Sequence, residues 1–321
     1  MEKVLFDQVV KVGCGIDVHK DIIVATIRKS ENKYETKEFT SFTSSLTELR
    51  EWCKSESVTH VAMESTGVYW KPVFNILEEG DFEIILVNAR HVRNVPGHKT
   101  DKQDSQWLSK LLVSGLLKAS FIPPVEIRDL RDLVRYKKKV VAQASSEKNR
   151  IIKILEDANI KLSSVLTSVD GAVGTKIIDD LIAGKADINE LMKHYHGKIK
   201  ASKTEFRLAL EGRLTKHHQF MLRVIQESIA DKEKLIVKIE TQIDELAKQY
   251  SVEIDLLQTI PGVAYDSAVS IISEIGADMS QFSSEEHLSS WAGMSPGNNE
   301  SGGKKKAQPP STGTNTYKPP L

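Results

Sequence analysis

V-G-C-G-I-D-V-H-K-D-I-I-V-A-T-I-R-K-S-E-N-K-Y-E-T-K-E-F-T-S-F, residues 12–42, decides the fold. Residues 12–18 are apolar with glycines, 22–27 are rich in β-branched side chains, and 34–42 alternate and carry Thr and Phe. Three extended runs joined by short links predict an antiparallel meander. Beyond it, 46–53 has helical spacing, 58–64 reads as a strand, 70–77 as a helix and 82–87 as a further strand. Residues 104–117 form an amphipathic pattern with Leu108, Leu111, Leu112 and Leu116 on one face. A meander followed by β-α-β-α describes a mixed α/β sheet flanked by helices.

From Arg128 the pattern becomes purely helical. Residues 128–162 place Val134, Val141, Ala144, Ile151, Leu155, Ala158 and Leu162 near heptad spacing. The second stretch, 222–250, is sharper: Leu222, Ile225, Ile229, Ile236, Ile239, Ile243, Leu246 and Tyr250 keep alternating steps of three and four, broken only at Lys232. That seam suits a helix packed in its own domain core, or a coiled coil within the chain or between protomers. The expectation is a long antiparallel helical pair with a role in dimerisation. Residues 163–217 look helical without a strong motif. Further on, 256–262 and 267–276 read as turn then helix, with Pro261-Gly262 breaking the chain. They suit either an ordinary capped helix or half of a helix-hairpin-helix unit, whose exposed N–H groups hold a phosphate. Residues 304–321 hold four of the ten prolines, four lysines and no acid, a composition expected to be disordered.

The length of 321 residues suits two or three domains. Hydrophobic and charged contents of 40% and 27% exclude collagen-like, disulfide-rich and largely disordered chains. Cys14 and Cys53 are too few for a disulfide framework, so a reducing cytoplasm is the expected compartment. The first residues lack the apolar run of a signal peptide. No apolar run reaches the roughly 20 residues that span a bilayer, and no membrane role is expected. The 44 basic and 44 acidic residues cancel, which by itself argues against nucleic acid. Their distribution argues the other way. Residues 40–89 carry three basic and eight acidic residues, and residues 90–139 carry twelve and five. Arg128, Arg131, Arg135, Lys137, Lys138 and Lys139 make a basic stripe, readable as a solvated helix face or as a phosphate track.

Four acids are candidates for metal binding. Asp17 shares a strand face with Gly13 and Gly15, which leaves room for a close approach; a turn acid ending the strand is the alternative. Glu64 ends an apolar strand, where ligand sites of open α/β sheets collect; an ordinary edge glutamate is the alternative. Asp101 and Asp104 lie three apart in a helix that Thr100 and Gln103 begin as a capping box. Acids in a first turn also satisfy the helix dipole alone. Here, however, Arg90, His91, Arg93, His98, Lys99 and Lys102 surround them, which points to metal-bound phosphate chemistry. Two strand acids and a helical D-x-x-D can converge at one end of a sheet and present hard oxygen ligands to Mg²⁺ or Mn²⁺. No Cys/His set has zinc spacing, and no P-loop is present.

G-I-D-V-H-K (15–20), E-S-T-G-V-Y-W (64–70) and K-T-D-K-Q-D (99–104) resemble, in order and spacing, the DEDD transposases of the insertion-sequence-one-ten family, which includes the Piv-type DNA invertases. T-I-P-G-V, S-E-I-G and W-A-G-M-S-P-G-N-N-E-S-G-G-K resemble its second domain, so the likeness runs to about Lys306. The resemblance implies a ribonuclease-H-like (RuvC-like) DEDD domain over residues 1–125, a helical coiled-coil region over 126–252 and a small, mostly helical transposase domain over 253–306. An aberrant tail over 307–321 replaces the family's basic segment and helix. It implies that Asp17, Glu64, Asp101 and Asp104 hold Mg²⁺ or Mn²⁺, and that Ser301 is the nucleophile of a DNA transesterification. Nucleic acid would be held by Arg90, Arg93, Lys99, Lys102, the stripe at 128–139, and Lys304 and Lys305. It further implies DNA as substrate, a non-coding guide RNA, a homodimer or tetramer assembled through the coiled coil, and a bacterial cytoplasmic location at the nucleoid. A RuvC-like nuclease, and a nucleic-acid-binding dimer that the altered tail has deprived of catalysis, are the competing readings. Sugar kinases and chaperone ATPases of similar fold need a glycine two residues after the first acid, where this chain has His19.

Overall fold

The computed structural model describes residues 8–65, 67–87, 101–117, 119–294, 300–301 and 304–305; of 101, 102, 300, 301, 304 and 305 it describes the backbone alone. The chain divides into two compact units, one formed by Met1–Ile122 with Ser280–Leu321 and the other by Pro123–Met279. The C-terminal stretch expected as one domain is thereby shared between both units.

The first unit is built on a five-stranded sheet. The meander is β1 (Gly13–Val18), β2 (Ile22–Ser30) and β3 (Lys33–Thr40), followed by α1 (Thr43–Ser55), β4 (His60–Glu64), α2 (Trp70–Glu78), β5 (Glu83–Val87) and α3 (Asp101–Val113). The order is β3-β2-β1-β4-β5, antiparallel among the first three strands and parallel from β1 to β4 and β4 to β5. Strand alternation sorts β1 into two faces. Cys14, Ile16 and Val18 join Ile23, Ala25, Ile27, Val61 and Met63 in a core closed by Leu46, Leu49 and Cys53 of α1 and Val73, Phe74 and Leu77 of α2. The two cysteines are free and buried; a hydrogen bond that the Cys14 thiol donates to Cys53, together with burial, pushes the Cys14 thiol well up.

Gly13 and Gly15 face the other way, under α3. A Cβ built on Gly15 would lie 2.3 Å from the Ser109 backbone nitrogen and 2.5 Å from the Ser105 carbonyl oxygen. Only glycine admits a helix backbone this close to a strand. The contact is polar as well as tight. Thr26 Oγ1 lies 2.9 Å from Ser105 Oγ, Arg28 Nε donates to Ser109 Oγ at 3.1 Å, and Arg28 Nη2 donates to the Gln106 carbonyl at 3.3 Å. Arg28 is buried, and burial lowers its pKa while Tyr34 and Glu31 oppose the shift. Leu108 and Leu112 fill the rest of this face against Ala62 and Val87. The helix ends at Val113, so Leu116 falls outside it and is exposed.

The second unit is a helical hairpin with a globular end. α4 (Val125–Asp157) leads to α5 (Ala172–Ile182), α6 (Lys203–Leu210) and α7 (Lys216–Ala247), then α8 (Ser251–Gln258) and α9 (Tyr265–Ile275). Ile151 and Leu155 meet Leu222, Ile225 and Ile229, whereas Leu130 and Val134 meet Ile239 and Ile243, so α4 and α7 run antiparallel within one chain. The isoleucine seam of α7 is therefore covered from inside the chain. On α4 the inward position belongs to Val140, and Val141 is exposed. The stretch without a motif supplies Ile177, Ile178, Leu181, Phe206 and Leu210 to the globular end. Pro261 and Gly262 (φ +87°) turn the chain between α8 and α9. Beyond α9, α10 (Glu285–Trp291) belongs to the first unit, where Phe282 and Trp291 stack on Phe121.

Arginines of α4 hold α9. Arg131 caps its last turn, donating to the carbonyls of Ser273 at 2.9 Å and Glu274 at 2.7 Å. Arg135 forms a bidentate pair with the Glu274 carboxylate at 2.9 and 2.7 Å. Glu274 is 7% exposed and Arg135 38%. Replacing the acid leaves one buried cation partly unpaired. Glu274→Ala is expected to destabilise this unit by about 2–3 kcal/mol, below the usual range for a fully buried pair because Arg135 reaches solvent; chemical denaturation reads it. In the first unit, Gly15→Ala forces α3 off the sheet and is expected to cost about 1–3 kcal/mol. An unchanged unfolding midpoint would refute the close contact.

Candidate active site

The sheet register decides where the acids stand. β1 and β4 pair in parallel up to Ile16 opposite Met63, and Asp17 and Glu64 are the next residues on each strand. They occupy neighbouring strands at the same carboxyl end, on the face shared by Gly15 and Ala62. α3 covers that face and runs antiparallel to β1: Leu112 and Val113 lie over Gly13, and Ser105 and Ser109 over Gly15. One step further along both elements brings the first helical turn, with Asp101 and Asp104, to the strand end that carries Asp17 and Glu64. α3 is described from Asp101 onward, and Thr100, the expected cap, lies outside the described residues.

Asp17 and Glu64 are half-buried, and Asp104 is exposed. The Asp17 carboxylate lies 3.0 Å from His19 Nε2. The side chain of Asp101 lies outside the described residues. Among the described residues, no group of three or more His, Cys, Asp or Glu is spaced to hold a metal ion. The acids that share this end of the sheet offer carboxylate oxygens, a chemistry that fits a hard divalent cation. The residues able to contribute are Asp17, Glu64 and Asp104, with Asp101 by its place in the turn.

Ser301 lies in a two-residue strand, β6 (Glu300–Ser301), paired antiparallel with β7 (Lys304–Lys305) across Gly302 and Gly303. It reads as loop by composition, but its backbone is in an extended pair. β6 falls in the same compact unit as the four acids.

The expected cations divide. Arg90, Arg93 and Lys99 lie outside the described residues, as do the side chains of Lys102, Lys304 and Lys305. In the stripe on α4, Arg131 and Arg135 are engaged with α9. Lys137 binds Glu240 at 2.8 Å and Asp266 at 3.2 Å. Burial lowers the Lys137 pKa, but hydrogen bonds to those two acids outweigh it and leave the ammonium above its ordinary value. Arg128 is half-buried; Lys138 and Lys139 are exposed. Arg131, Arg135 and Lys137 thus serve the packing of their own unit, and Arg128 and Lys138 also have interactions within the chain.

The sequence reading missed the polar seam of Thr26, Arg28, Ser105 and Ser109. Its signal was present: two serines four apart interrupt a leucine face, and strand alternation puts Thr26 and Arg28 on the face of Gly13 and Gly15.

No helix among the described residues is long and apolar enough to cross a membrane. No curated protein matches the chain. The family model for DEDD transposases of IS110 elements, described as Transposase, matches residues 14–160 and so includes all four acids. A second model, described as Transposase IS116/IS110/IS902 family, matches residues 254–318; it includes Ser301 and continues through most of the tail that follows Lys306. The two models agree on one family, lie in that family's order and together cover about two thirds of the chain. The chain belongs to the IS110 family of transposases.

Proposed function

We propose that this transposase cuts and rejoins DNA by transesterification, with Ser301 as nucleophile and the DEDD acids as the metal-holding set. The observation that carries the reading is the convergence of Asp17, Glu64 and the α3 first turn at one sheet end, in the compact unit that also contains Ser301. The strand order β3-β2-β1-β4-β5, antiparallel then parallel, supports a ribonuclease-H-like (RuvC-like) fold for that unit.

Ser301 Oγ attacks a backbone phosphorus. A bond forms between Oγ and phosphorus as the bond to one deoxyribose oxygen breaks. The leaving oxygen takes up a proton and the serine gives one up. The phosphoserine link conserves the phosphodiester bond for the reverse attack by another strand end, so rejoining needs no nucleotide hydrolysis. Asp17, Glu64, Asp101 and Asp104 would hold Mg²⁺ or Mn²⁺, whose charge when bound neutralises the anion developing on the attacked phosphate. Ser301 has an extended backbone, and two glycines follow it in the sequence.

DNA contact beyond the site falls to Arg128, Lys138 and Lys139, to Arg90, Arg93, Lys99 and Lys102, and to Lys304 and Lys305 beside the serine. The turn at Pro261-Gly262 between α8 and α9 suits a phosphate held by backbone N–H groups. A guide RNA, and a dimer or tetramer assembled through the α4–α7 hairpin, complete the proposal. The exposed Val141 and Val237 on the hairpin support the assembly.

With supercoiled substrate and Mg²⁺, Asp17→Asn and Asp101→Asn should each lower recombination by about a hundredfold or more, as loss of a transition-state stabiliser does. Denaturing gels should show a protein–DNA adduct in the wild type and none in Ser301→Ala. An adduct that persists in Ser301→Ala moves the nucleophile elsewhere.

A further inference from the structure

The globular end of the second unit carries a charge excess on a stretch without a recognisable motif. Residues 193–217 hold seven lysines and arginines against two glutamates. Lys193 pairs with Glu190, and Arg207 donates to Asn189. Lys198, Lys200, Lys203, Arg213 and Lys216 are exposed, and none of the five has an ion-pair partner among the described residues. The contrast with α4 is direct, since there Arg131, Arg135 and Lys137 are all bound to acids of their own unit.

These five cations stand on a built surface. Ile199 packs into the core of the globular end, so that its neighbours Lys198 and Lys200 are turned outward. Tyr195 Oη donates to the Ala201 carbonyl at 3.1 Å and closes the loop on itself, while the Tyr195 ring packs on Phe206. Ser202 and Glu205 form a capping box that starts α6 at Lys203. On the far side of α6, Arg213 N donates to the Ala158 carbonyl at 2.7 Å, and Thr215 caps α7 at Lys216. The two groups of cations are separated by α6, about 12 Å long from its helical rise.

The placement is locally unfavourable. Lys203 and Lys216 are the first residues of their helices, where the dipole favours an anion, and the first turn of α7 has no acid. Unpaired cations kept against the dipole mark a place where local stability yields to another demand. The missing component is an external anion. Lysines act as point charges for phosphate. Phe206 is buried and Tyr195 half-buried, so neither is offered for stacking; the exposed rings beside these cations are His196, His217 and Phe220.

We infer that Lys198, Lys200, Lys203, Arg213 and Lys216 form a contact surface for the phosphate backbone of duplex DNA, distinct from the basic stripe of α4. The surface reads charge and not sequence, and it rests on the reading of this chain as acting on DNA. It holds duplex outside the catalytic unit and needs neither the metal nor Ser301.

The test is binding of the full chain to a random-sequence 30-base-pair duplex, read by fluorescence anisotropy in EDTA over a salt series. EDTA separates it from the proposed chemistry, which needs a bound metal. K198Q/K200Q/K203Q should flatten the slope of log K against log salt by about 0.9 for each phosphate no longer neutralised, hence by about 2–3, and R213Q/K216Q by about 1–2. K198R/K200R/K203R should retain the wild-type slope, and circular dichroism should show equal helix content in all variants. The inference is overturned if both glutamine variants keep the wild-type slope, or if the wild type fails to bind the duplex. It is equally overturned if the variants lose affinity for a hairpin RNA and not for the duplex. If the glutamine variants weaken binding yet Ser301→Ala still forms adduct, the surface stands and the proposed nucleophile falls.

Discussion

α3 lies closer to β1 than any residue but glycine allows, and the position of the helix-borne candidate acids relative to the strand-borne ones depends on that approach. The Ser105 carbonyl and Ser109 nitrogen occupy the volume in which a Gly15 Cβ would stand. Hydrophobic contact alone leaves a helix free to slide or rotate on a sheet, because apolar burial has no direction. Here the hydrogen bond between Thr26 and Ser105, and those that Arg28 donates to Ser109 and the Gln106 carbonyl, fix both its register and its rotation. The parallel register of β1 and β4 fixes the second half of the geometry, aligning Asp17 with Glu64. Two independent constraints therefore bring strand-borne and helix-borne carboxylates to one end of the sheet.

The second unit distributes its charge by a different logic. Its hairpin closes over an isoleucine seam and docks α9 with the arginines of α4. Cations used in this way lower the energy of the fold and are withdrawn from long-range electrostatics. Lys198, Lys200, Lys203, Arg213 and Lys216 at the globular end meet no acid among the described residues, although the folded loop and two capping boxes hold their backbone in place. Neutrality of the whole chain conceals this division.

Much of the first unit was legible in the sequence because its strands alternate and its turns are short. Among the described residues, β1–β5 and α1–α3 appear where periodicity puts them, with ends shifted by a few residues. The α4–α7 pair was legible in its heptads, but periodicity cannot distinguish an internal seam from one between protomers. The clusters at Leu130–Ile243 and Leu155–Leu222 settle this in favour of a seam inside the chain. Val140 and Val141 show the limit of the pattern: adjacent valines fit the same period, and packing chose the first. The individual acids were visible only as plausible turn or cap residues, and their order along the chain gave them meaning. Composition does not show how the stripe on α4 is used within its own unit, since sequence gives no account of Glu274, Glu240 and Asp266 arriving from far along the chain to meet Arg131, Arg135 and Lys137. The unpaired lysines around α6 escaped notice for the converse reason: they are spaced over 19 residues and become conspicuous only once their neighbours are seen to be paired.

The central claim is that acids from β1 and from the first turn of α3 serve one metal site. Titration of the full chain with Mn²⁺, followed by electron paramagnetic resonance, tests it without requiring DNA or turnover. Asp17→Asn and Asp104→Asn should each weaken Mn²⁺ binding by about tenfold or more, and the double variant should lose less than the two effects combined, because both remove ligands from a shared ion. If Asp104→Asn binds Mn²⁺ as the wild type does while Asp17→Asn does not, strand and helix do not share a site, and the account is wrong.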